Sequence, residues 1–193
     1  MANFLISVDK TLRHEGGFVH VKATGEVANF GITVWFLREI GELPPAPRTD
    51  PARPTEISFV RRLTRDQAVE IYRRHFWERY RIGEIRDQDL ADKVFDLVVN
   101  TGPGGWASIK GRRVFKRGAL VLLQEAVNEL RGKPLLDCDG ILGPLSIARV
   151  NSTEAGALLD VLRAKAADRY RSIAAANPPL APNLHGWLER LAA

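Results

Sequence analysis

The stretch His14-Glu15-Gly16-Gly17 decides how this chain is read, because it sets one carboxylate where a short amphipathic helix must stop. Upstream, Phe4, Leu5, Val8 and Leu12 recur at helical spacing, and Glu15 falls on the Val8/Leu12 side of that helix. The acid therefore points inward. The two glycines are expected to supply the left-handed or otherwise strained backbone that ends a helix, and the helix C-terminus carries the negative end of the macrodipole. A carboxylate there is poorly placed for stability. Function as a general acid is therefore the expected reason for it.

Downstream, Phe18 through Thr33 shows short β-branched alternations punctuated by Gly25 and Gly31, the pattern of a small hairpin or irregular strand pair. Thr33 then caps a helix with Val34, Trp35, Leu37 and Ile40, which stops at Gly41. From Glu42 to about Phe59 the prolines at 44, 45, 47, 51 and 54 predict a surface loop, acting as a lid or binding edge or standing as an insertion. Thr64 and Gln67 form a capping box that opens a helix running through Ile71, Tyr72 and Phe76 toward Trp77 and Tyr80, with Trp77 and Trp35 expected in the core. Asp87 starts a further helix whose Leu90, Val94, Phe95, Leu97 and Val98 make it too apolar for a surface position. It ends at a glycine-rich turn, Asn100-Thr101-Gly102-Pro103-Gly104-Gly105-Trp106, suited to a close approach to a ligand or simply to stopping the helix. After a basic run over 110–117, helices are predicted over Ala119 to Leu130, up to Val150, from a Thr153 cap to Tyr170 and beyond, and from Leu184 to Leu191.

The 193 residues, 45% hydrophobic and 26% charged, suffice for one sizeable core or two small ones. No run of about 18 apolar residues predicts a membrane span, and the N-terminus lacks a signal-peptide pattern, so synthesis in the cytoplasm is expected. Cys138, the single cysteine, excludes an intramolecular disulfide and a multi-cysteine zinc site. No His-Glu-x-x-His occurs; neither a metal nor a cofactor is expected. The net charge of +5 favours an anionic partner such as an envelope polymer, an acidic membrane surface or nucleic acid. Nucleic acid rests on the charge and the basic run alone and is not expected as a partner.

Several separated segments together resemble the glycoside hydrolase family 108 muramidases, which include phage endolysins and secretion-associated peptidoglycan hydrolases. They are His14-Glu15-Gly16-Gly17-Phe18, Asn29-Phe30-Gly31-Ile32-Thr33, Leu63-Thr64 through Ile71-Tyr72 to Phe76-Trp77, and Phe95-Asp96-Leu97-Val98-Val99-Asn100. Asp139-Gly140-Ile141-Leu142-Gly143-Pro144 resembles the start of the family's C-terminal peptidoglycan-binding region, and Gly186-Trp187-Leu188 its closing motif. The resemblance implies a mainly α, α+β lysozyme-like fold with a small β-hairpin near the active site. It divides the chain into a catalytic region over 1–100 and a helical C-terminal peptidoglycan-binding-type region over 101–193, either separate or packed as one compact fold.

The resemblance also places the catalytic acid on Glu15 and implies cleavage of the β-1,4 bond between N-acetylmuramic acid and N-acetylglucosamine. Where the family shows an acidic segment with Pro-Gly-Gly, this chain has Ala23-Thr24-Gly25-Glu26-Val27-Ala28, so Glu26 is the candidate base. Thr24, Asn29, Asn100 and Trp106 are the candidate substrate contacts. A lytic transglycosylase and a non-catalytic envelope-binding or secretion-accessory protein are the alternatives. Action in the periplasm or wall then requires release by a holin or a secretion apparatus.

Overall fold

The computed structural model describes residues 1–21, 25–109 and 111–192. It is mainly α with two small antiparallel sheets, the α+β class expected. Helix α1, Phe4–His14, opens the chain and stops directly before Glu15. Its buried stripe is Phe4, Ser7, Val8 and Thr11, a spacing that continues onto Glu15, whereas Leu5 lies off the stripe and is exposed. The expected inward side is therefore right for Val8 but not for Leu5. The chain divides into two compact units, Val8–His75 and a second made of Met1–Ser7 with Phe76–Ala193.

In the Val8–His75 unit, β1 (Val19–Val21), β2 (Glu26–Asn29) and β3 (Ile32–Thr33) form a three-stranded sheet, one strand more than a simple hairpin. Along β2 Val27 and Asn29 are buried while Glu26 is exposed, the alternation of a sheet with one covered face. Thr33 caps α2 (Val34–Glu39) as expected, its Oγ1 accepting from Phe36 N at 3.1 Å. Trp35 is only half-buried, with the Arg38 guanidinium 4.7 Å from its ring, so it is not the core residue predicted.

The proline-rich segment also departs from expectation. Its last part, Pro54–Arg61, is helix α3. Pro54 stands in the first turn, where its missing N–H costs nothing, and the Glu56 carboxylate accepts from Arg53 N at 2.7 Å. Buried Arg38 donates to Glu56 Oε1 at 3.0 Å and Oε2 at 2.6 Å, and to the carbonyls of Asp50 and Pro51, so an ion pair fastens the loop from beneath. Helix α4, Arg65–Tyr72, carries the predicted capping box. It runs into a π-helical stretch, Arg73–Glu78, and the buried positions step from Tyr72 to Trp77, the five-residue period of a π turn.

In the other unit, α5 (Gln88–Thr101) is buried continuously from Leu90 to Val98 and is capped by Asp87, which accepts from Leu90 N at 2.9 Å. Trp77, in the core as expected, meets Phe4 and Phe95 with ring centroids 5.6 and 5.7 Å away. Helix α6 (Ala119–Leu130) packs against α5 and α8. Helix α7 is Pro144–Asn151, and α8, Ala155–Ala176, is capped by Glu154 instead of Thr153, the carboxylate accepting from Gly156 N and Ala157 N at 2.8 and 2.6 Å. Helix α9, Leu184–Ala192, is held to α5 by Arg190 donating to Asp96 at 2.9 Å. Of the basic run, predicted as a charged surface stretch, Arg112–Lys116 forms β5, which pairs with β4 (Gly105–Ile109) in a second hairpin.

Candidate active site

Glu15 is half-buried at the end of α1, and its neighbour is the turn between β2 and β3. Asn29 pairs with Ile32, leaving Phe30 and Gly31 as a two-residue turn, with φ of 51° and 73°. Positive φ at both positions marks a type I′ turn, whose twist suits a tight hairpin. For Phe30 that conformation costs about 1–2 kcal/mol, a strain that Asn or Gly would largely escape. Tyr72, buried in α4, donates its hydroxyl to the Phe30 carbonyl at 2.9 Å and so holds the turn in place.

Gly31 has no room for a side chain. A Cβ there would lie 2.3 Å from Glu15 Oε2 and 2.8 Å from the Tyr72 hydroxyl oxygen. The carboxylate thus rests against the bare α-carbon of the turn. By contrast, Gly16 and Gly17 are not in the left-handed region, and a Cβ on either meets nothing within 4 Å. Neither glycine after α1 takes the left-handed backbone, and the glycine demanded by geometry is Gly31, sixteen residues after Glu15. The pair Asn29-Phe30-Gly31-Ile32 carried that signal, obscured because Phe is a poor residue for a I′ turn.

Glu26 is exposed at the start of β2, paired with Val21, at the opposite end of that strand from the turn that seats Glu15. Thr24 lies outside the described residues. Asn29 is buried and gives its side-chain amide to the carbonyls of Val60 at 3.0 Å and Leu63 at 3.3 Å, tying β2 to the last turn of α3 and the residues that follow it. Asn100 and Trp106 belong to the other unit. Asn100 is exposed at the end of α5 and donates to Asp96 O at 2.9 Å. Trp106 is exposed on β4 rather than on the glycine-rich turn. That turn brings backbone to backbone: a Cβ on Gly105 would stand 2.1 Å from Asp139 O, and one on Gly104 would stand 2.4 Å from Gly118 N. Among the described residues, no cluster of His, Cys, Asp and Glu is arranged to hold a metal ion.

A carboxyl group seated against a tight turn of a small sheet can deliver a proton to a leaving oxygen. Residues 8–102 match the profile of the family described as Glycosyl hydrolase 108. This match likens residues 8–102 to the glycosyl hydrolase 108 family, and it supports a glycoside hydrolase that acts on peptidoglycan. The comparison with curated proteins gives no match. Among solved structures, Brucella abortus SagA is similar over 98% of this chain and 89% of its own, with a TM-score of 0.70 and 20% identity, a likeness of fold.

Proposed function

We propose that this chain is a muramidase that cleaves the β-1,4 bond between N-acetylmuramic acid and N-acetylglucosamine, with Glu15 as the general acid. The observation that carries this reading is the seating of the Glu15 carboxylate against Gly31 on a turn held by Tyr72. Glycoside hydrolysis needs an acid on one side of the bond and, in most families, a second carboxylate on the other. Glu26 takes the second role. It is the acidic residue of β2 and is proposed as the base that activates water, with Thr24 and Asn29 as its neighbours in sequence. The substrate places the working enzyme in the periplasm or wall, reached by way of a holin or a secretion apparatus.

Digestion of purified peptidoglycan in isotopically labelled water, followed by mass spectrometry, tests this chemistry. Reducing muropeptides that carry solvent oxygen, and their loss in Glu26→Gln, are expected. Anhydro-sugars without solvent oxygen, with Glu26→Gln nearly silent, would instead assign the reaction to a lytic transglycosylase.

A further inference from the structure

The β4–β5 hairpin is exposed on both of its faces. Trp106 pairs with Phe115, and Ser108 with Arg113, across one face; Ala107 pairs with Val114, and Ile109 with Arg112, across the other. Trp106 is 58% exposed, Phe115 41%, and Ile109 and Val114 38% each, so neither face rests on a core. A two-stranded ribbon of this kind is marginal in water by itself. No residue from 105 to 117 is acidic, while Lys110, Arg112, Arg113, Lys116 and Arg117 are cationic. Arg117 is held by Glu125, its guanidinium bonding both carboxylate oxygens. Arg112, Arg113 and Lys116 have no acidic partner among the described residues, and Arg113 lies over the Trp106 ring, its guanidinium carbon 4.4 Å from the centroid.

A glycan strand would use a single open aromatic face, and the Trp106 ring is already covered by Arg113 and met edge-on by Phe115 at 5.2 Å. Nucleic acid would engage the cations but leave Ile109 and Val114 in water. A bilayer interface takes both at once, since aromatic and aliphatic side chains enter the boundary between headgroups and acyl chains while arginine and lysine meet the phosphates. From this charge complementarity and two-faced apolar exposure, we propose that the β4–β5 hairpin docks the protein on an anionic phospholipid surface. Cations near such a surface act additively, so three of them set most of the affinity.

The test is co-sedimentation of the full chain with vesicles of phosphatidylcholine alone and of equal parts phosphatidylcholine and phosphatidylglycerol. Binding is expected only to the anionic vesicles, weakening with added salt. Replacing Arg112, Arg113 and Lys116 together by Gln should lower partitioning about a hundredfold. Separately, tryptophan emission should shift blue on binding, and Trp106→Ser should remove that shift. These positions are all exposed, and circular dichroism checks that each variant keeps its fold. No sedimentation of the wild type with anionic vesicles, or equal sedimentation of the triple variant, overturns the proposal. So does retention on peptidoglycan sacculi or DNA that the triple variant loses while vesicles capture neither form. Vesicle binding requires no turnover, so its failure leaves the hydrolase reading intact.

Discussion

Gly31 carries no side chain because the Glu15 carboxylate occupies the space one would fill. Gly31→Ala must move the acid, strain a backbone at φ +73°, or do both. It should destabilise the protein by about 1–2 kcal/mol. Activity should fall on the order of a hundredfold, since about 1 Å of misplacement is enough for that loss. Gly16→Ala and Gly17→Ala, with ordinary φ and open space, should be silent in activity and neutral or stabilising by up to about 1 kcal/mol. Lytic assays and urea melts of the three variants check the contrast. Tyr72→Phe deletes the hydrogen bond to the Phe30 carbonyl and should cost about 1 kcal/mol in the same melts.

At the scale of elements, the strongest local constraint in the Val8–His75 unit is the buried pair of Arg38 and Glu56, which joins α2 to α3. The hydrogen bonds from Arg38 hold the Glu56 carboxyl below its ordinary value, against the opposing effect of burial and with help from the Arg53 N–H. A carboxylate depressed on folding stabilises the protein above its unfolded pKa of about 4.3, and that contribution is lost as pH falls through the folded value. Stability should therefore drop on acidification below about pH 4, and less steeply in Glu56→Gln. At neutral pH that variant strands a buried guanidinium and should lose about 3–5 kcal/mol. Thermal melts across pH measure both effects. The pair was invisible in the sequence because it joins residues eighteen apart through a segment whose prolines argue against a helix. The caps at Thr33, Thr64 and Asp87 were legible because each is a bond between residues three apart in the sequence.

At the scale of the whole molecule, the apolar periodicity foretold α5 and α6, buried helices of the second unit, and the segment motifs foretold the family match over residues 8–102. The β4–β5 hairpin escaped notice because both faces are exposed, so its strands show no apolar–polar alternation. The seat of Glu15 escaped for a different reason: its glycine sits on another element, behind a Phe in a conformation that Phe seldom adopts. These two features set the chemistry of the acid and the proposed docking of the chain. The central claim is that one carboxyl group, Glu15, donates the proton for glycan cleavage. Its most direct test is the rate at which purified peptidoglycan is solubilised by the wild type and by Glu15→Gln, with melting curves recorded for both. Loss of on the order of 10²–10⁴-fold in rate at an unchanged melting temperature is the predicted result; a Glu15→Gln protein that solubilises the wall at close to the wild-type rate would contradict it.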